Sequence, residues 1–286
     1  MFARSAVVVA LSLAVLTACG SEPASAPVAA PTRTQGDVAQ NAWRMERIKA
    51  DCMKQKGFTY VPFVMPRQKQ SETERRAEQG DYAAMKELRA KYGFKVFARF
   101  IYPGDPQAGD ITREMFPVDP NERIQDALNL TQINAYDNAQ KDCTVKAAQE
   151  VVHKKVTSQL DLDNQRFKKL DQVMGRELDG DPRLVELAAP FGDCLKAKGY
   201  PVTSLKPTVM AVSKQRAEAI FLEAKKLGRG KRHEDLSHLA PEQLRPYLVK
   251  EIKTALDDLE CGKDFYAVYL PKKQEIEQRV QREFGS

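Results

Sequence analysis

Tryptophan occurs once in this 286-residue chain, histidine three times and glycine only fifteen times. Several chemistries lack the residues they need. No Gly-x-Ser-x-Gly, phosphate loop or dinucleotide fingerprint is present, which removes the usual nucleophile-elbow, nucleotide and Rossmann readings. No Cys-x-x-Cys exists, so a thioredoxin-like redox pair and a closely spaced structural zinc site are both without support. His233-Glu234 and His238 have the wrong interval for a zinc-protease helix, because five residues turn the two rings onto different faces. His153 stands among lysines with no partner to nominate, and thirty-nine carboxylates offer no way to select a catalytic pair. No cofactor, metal or catalytic residue is therefore assigned, and the chain reads as a non-enzyme. An envelope hydrolase using carboxylate or histidine chemistry is the weakest of three functional readings.

Long apolar runs are also scarce. The one uninterrupted run, Ser5–Ala18 behind Arg4, falls short of the ~20 residues a spanning helix needs and has the length of a signal-peptide core. It ends in Leu16-Thr17-Ala18-Cys19, an aliphatic residue and two small ones before a cysteine, which resembles the bacterial lipobox. That resemblance implies cleavage before Cys19, attachment of a diacylglycerol to the Cys19 sulfur and a mature protein held at the extracytoplasmic face of the cell membrane. Residues 1–18 are then the signal peptide. Residues 19–36, with Pro23, Pro27 and Pro31 among small residues, form a solvated tether reaching roughly 50 Å if extended.

What the chain has in abundance is Ala, Leu, Glu, Lys and Gln, a helix-forming composition. Charged residues make up 29% with a net charge of +6, the two signs interspersed, which suits a salt-laced helical surface better than a nucleic-acid stripe. Arg229–His233, the densest basic cluster, reads as a solvated turn. The mild positive balance suits an anionic lipid surface or wall polymer.

Asp51-Cys-Met-Lys-Gln-Lys-Gly-Phe58 returns as Asp193-Cys-Leu-Lys-Ala-Lys-Gly-Tyr200. Each copy reads as a last helical turn: an inward Cys, lysines at the carbonyl end and a glycine in the left-handed cap position. A second cysteine follows later in each half. The repeat thereby selects Cys52–Cys143 and Cys194–Cys261 among three connectivities, in line with an oxidising compartment. The fold expected is mostly α: two related helical halves, 37–160 and 161–286, each closed by a disulfide, with at most a short β-hairpin.

Helices are expected over Asp37–Lys56, from a capping box at Ser71-Glu-Thr-Glu74 to Tyr92, from Asn121 onward with a break near Thr157–Asp163, from Asp181-Pro182 to the second motif, from Ser213, and from Pro241 through Phe284. The core stripe of the last is Leu244, Leu248, Ile252, Leu256, Leu259 and Phe265. Phe94–Tyr102 is the one stretch with strand character. Phe58, Tyr60, Phe63, Phe97 and Tyr102 are candidate members of an aromatic ligand groove, set against the plainer reading that they cap a helical core.

Cys-x4-Gly-aromatic, Lys91-Tyr-Gly-Phe94 and the terminal Glu-rich EIEQRVQREF together resemble a group of secreted or lipid-anchored actinobacterial proteins. The group has no assigned activity, so the resemblance implies a location and a disulfide pattern and no site. The chain has no second Tyr-Gly to match the first. The primary functional expectation is a binding or scaffolding component of the cell envelope, its partners a membrane through the lipid anchor and an envelope complex or wall polymer. The alternative is a solute-binding lipoprotein with an aromatic cleft between the halves.

Overall fold

The computed structural model describes residues 36–228, 236–237 and 239–285. Cys19, the tether before Gly36, the Arg229–His233 cluster and His238 lie outside the described residues. Those described are mostly helical, without strands, and none of their helices is long and apolar enough to cross a membrane.

The first helix, α1 (Gly36–Gln55), packs antiparallel on α6 (Leu130–Val152): Cys52 bonds Cys143, Phe58 meets Tyr136, and the far end of α6 approaches the start of α1. α8 (Pro182–Ala197) and α11 (Pro241–Cys261) form the equivalent pair, joined by Cys194–Cys261. Cα atoms lie 5.5 Å apart across each bridge. The two caps also match. Gly57 and Gly199 both adopt φ +84°, and Phe58 and Tyr200 each donate a backbone N–H to the carbonyl five residues back. Lys56 pairs with Asp142 and Lys198 with Asp257, at 2.8 and 2.9 Å. The sequence repeat is thus a repeat of structure: a helix closed by a Schellman turn, then a bridge and an ion pair to a returning helix.

α6 leads into α7 (Gln159–Glu177) and α11 into α12 (Lys263–Phe284); α7 and α12 pack antiparallel, with Arg279 paired to Glu177 on their seam and Lys272 to Asp181 at the start of α8. Residue 160 falls within the first turn of α7. The main hydrophobic cluster draws on both halves, with Met85, Ala148 and Val156 beside Leu184, Phe191, Phe265 and Tyr269.

Local signals explain most boundaries. The Ser71 hydroxyl accepts from the Glu74 N–H and Glu74 reaches back to the Ser71 N–H, opening α2 (Glu72–Glu78) as a capping box. Asp181 caps α8 ahead of Pro182. α3 (Tyr82–Tyr92) ends at Gly93, α4 spans Ala98–Ile101, and α5 (Pro120–Asp126) follows a loop containing two 3-10 turns. Asn129 opens α6 with its own capping box to Gln132. The expected break after α6 comes earlier than Thr157, because His153 itself takes the left-handed cap, φ +54°. α9 is Pro207–Met210. Ser213 starts a 3-10 turn, Ser213–Ala217, that passes into α10 (Glu218–Lys225).

Two expectations are corrected. The last helix does not run unbroken from Pro241, because Gly262 separates α11 from α12. A Cβ there would sit 2.8 Å from the Phe191 ring, so the break lets α8 press into the corner. Phe94–Tyr102 is not a strand: Lys95 turns to φ +66° and the segment bends into α4. Three of its N–H groups go to a side chain on α11.

Candidate functional site

The aromatic candidates divide between two places. Phe58 and Tyr60 pack with the Cys52–Cys143 cluster, Phe58 edge-on to Tyr136 at 5.5 Å. The Tyr60 hydroxyl donates to Glu46 at 2.8 Å, and the Phe63 backbone N–H donates to the same carboxylate at 3.2 Å. Burial, then the Glu46 charge beside it, push the Tyr60 phenol far above its ordinary pKa. Glu46 and Asn121 together serve an extended segment that prolines keep out of a sheet: Asn121 accepts from the Val61 N–H and donates to its carbonyl, both at 2.8 Å.

Phe97 lies elsewhere, wholly buried in a second cluster, stacked on Tyr247 at 5.8 Å. Tyr102 packs at that cluster's margin, edge-on to Tyr92. The structure brings Phe58 with Tyr60 and Phe97 with Tyr102, but it does not bring the two groups into one groove. Phe58, Tyr60, Phe97 and Tyr102 serve packing contacts, and Phe63 is half-buried and tied down through its backbone N–H.

Two residues not nominated from sequence hold the centre. Glu251 and Asp258 on α11 are both wholly buried, two turns apart on the face that meets the first half. Glu251 Oε1 accepts the backbone N–H groups of Phe94 (2.6 Å) and Val96 (2.9 Å), and Oε2 accepts that of Phe97 (3.0 Å). One side chain thus binds the turn a partner strand would otherwise have paired. Gly93 is required beside it: a Cβ there would stand 2.8 Å from the Glu251 side chain, and its φ is +58°. Burial raises the Glu251 pKa above its ordinary value, while the three N–H groups pull the other way.

Asp258 lies between two guanidiniums. Arg89 of α3 donates to Oδ2 at 2.5 Å and to the Ala255 carbonyl at 2.9 Å, and the Tyr266 hydroxyl of α12 donates to the same Oδ2 at 2.8 Å. Arg216 brings Nε to 2.9 Å from Oδ1, an ion pair without hydrogen-bond alignment. The arginine side chains are 12% and 8% exposed. Aromatic faces cover both: Tyr266 and Phe94 beside Arg89, and Phe191 5.2 Å from Arg216. Asp258 thus serves two guanidiniums at once.

Sequence reading missed these acids because Ile252 and Leu256 complete an apolar stripe nearby. The available signal was spacing: Leu244, Leu248, Glu251, Ala255 and Asp258 follow one another at three- and four-residue steps.

Beside Arg216 the chain after the second motif encloses a concavity of about 160 Å³, lined by Pro201, Val202, Ser204, Val209, Val212 and Arg216 among others. Buried Gly192 lies against two of its lining residues, since a Cβ there would come to 3.6 Å from Val202 and 3.8 Å from Met210 and would meet Leu205 at 2.4 Å. Comparison of the chain with family models, curated proteins and solved structures finds no match.

Proposed function

We propose that this chain is a lipid-anchored protein of the extracytoplasmic face of a cell membrane, where it acts as a non-enzymatic binding or scaffolding component of the envelope. The observation carrying the proposal is Leu16-Thr17-Ala18-Cys19 at the end of the Ser5–Ala18 apolar run, followed by a proline-bearing tether. Two disulfides between packed helices fit an oxidising compartment. A body whose repeated units share a core and a buried charge cluster suits a rigid platform. Its partners on this reading are the membrane, through the lipidated Cys19, and an envelope complex or wall polymer.

The test is metabolic labelling of expressing cells with an alkyne fatty acid. Label is expected on the wild-type chain and absent from Cys19→Ser; an unlabelled wild type, or equal labelling of both, overturns the anchor. Cross-linking in intact cells then examines the second part. Reproducible capture of one envelope complex or wall polymer supports scaffolding. A small molecule retained in the native mass, with no partner captured, replaces scaffolding by solute binding.

A further inference from the structure

Arg216 is held on three sides. Its Nε faces Asp258, its Nη2 donates to the Met210 carbonyl at 2.8 Å, and Phe191 covers its plane. Its Nη1 is buried with no hydrogen-bond partner. A guanidinium that is 92% buried ordinarily commits its donors, because an unmade bond in the interior costs about 1–3 kcal/mol. Arg89 and Arg216 both face Asp258, so Arg216 shares its carboxylate with a second guanidinium. Arg216 also lines the 160 Å³ concavity, whose other walls are largely Pro201, Val202, Val209, Met210 and Val212, with Thr203, Ser204 and Gln215 adding polar groups. Glu218 lines it too but is solvent-exposed.

We infer that this concavity is a binding site for a small organic monocarboxylate, its carboxylate paired with Arg216 and its short apolar body against Val202, Val209 and Val212. The size suits such a ligand, since an engineered cavity of about 150 Å³ admits a benzene ring. The chemistry suits it as well. Nε and Nη2 of Arg216 are already engaged, so Nη1 is the donor left for a carboxylate, and a charge-assisted bond to it replaces the one left unmade. The site lies wholly in the second half, between the Tyr200 cap and the Ser213–Ala217 turn. It is independent of the anchor at Cys19 and differs from the aromatic cleft that the sequence suggested.

The experiment uses the full chain purified in detergent, with sodium butyrate and sodium benzoate as probes. Butyramide and sodium chloride at equal ionic strength serve as controls. Thermal melting and titration of the Arg216 Nε–H resonance are the readouts. Saturable stabilisation by the carboxylates, absent with butyramide and chloride and accompanied by a shift of that resonance, is expected. Arg216→Lys should weaken binding at least tenfold. Should that variant fail to fold, Val212→Trp decides, because it fills the concavity from an exposed position and leaves Arg216 intact; it too should weaken binding at least tenfold. Equal stabilisation by chloride or butyramide, no saturable effect, or unchanged affinity in Val212→Trp overturns the site.

Discussion

Arg89 and Asp258 meet at 2.5 Å in the interior although 169 positions separate them. One lies on α3, in the excursion between the first pair of bridged helices, and the other on the returning helix of the second pair. The contact ties the two repeated units together at their most buried point. Breaking such a pair leaves a charge stranded, at about 3–5 kcal/mol. Asp258→Asn should lower unfolding free energy by about that much in urea titrations. Asp257→Asn, one residue away in a cluster with Lys198, Lys253 and Tyr200 at the margin, should cost clearly less. Equal losses would mean that the buried pair has no special weight.

Glu251 gives a pH dependence with a definite sign. Its folded-state pKa is raised by burial, so the native state holds this proton more readily than the unfolded chain. Its contribution to stability is fully present below about pH 4.5, the ordinary value, and declines as pH rises through the folded pKa. Glu251→Gln removes the ionisation and turns an amide NH2 toward one of three backbone donors, costing about 1–3 kcal/mol. Stability measured from pH 4 upward should lose part of its decline in this variant. An unaltered pH profile would contradict the assignment.

The left-handed glycines separate two effects. Gly57, Gly80 and Gly199 all have φ near +80°, but a Cβ at Gly57 or Gly199 meets nothing within 4 Å, whereas at Gly80 it would lie 2.7 Å from the Tyr266 carbonyl oxygen. Gly57→Ala and Gly199→Ala should each cost about 1–2 kcal/mol, the left-handed penalty alone. Gly80→Ala should cost about 2–4 kcal/mol, because backbone has to move as well. Thermal melts of the three variants give the ranking directly.

The bridges close loops of 91 and 67 residues, each worth about 4 kcal/mol in the chain-entropy account. Non-reducing peptide mapping should recover Cys52 with Cys143 and Cys194 with Cys261, and reductant should lower the melting temperature. Free thiols at any of the four, after purification without reductant, would contradict the pairing.

How much of this was legible beforehand depended on whether the signal was local. The Cys-x4-Gly-aromatic repeat carried the bridges and the caps, because a Schellman turn is written in consecutive residues. Ser71–Glu74 and Asp181-Pro182 announced their helices for the same reason. Phe94–Tyr102 misled because aromatic and β-branched content favours a strand only when a strand is there to pair with. Three N–H groups of this segment are taken by a carboxylate about 150 positions away. Glu251, Asp258 and Arg216 stayed hidden because a charged residue signals burial only through partners that the linear sequence does not place beside it. The groove aromatics were recognisable as buried groups, but whether they converge was a matter of tertiary arrangement.

The dependence of the first half on α11 has a consequence for the order of synthesis. Arg89 and the 94–97 turn emerge from the ribosome 169 and 157 residues ahead of the carboxylates that hold them. At ordinary elongation rates that is a wait on the order of ten to thirty seconds. Through that interval α3 has neither its ion-pair partner nor the helix it packs on, so a nascent chain presents an unfinished first unit. The molecule is closed from its C-terminal end, and a chain cut short before Pro241 would carry the whole first bridge pair yet lack what fastens α3 in place.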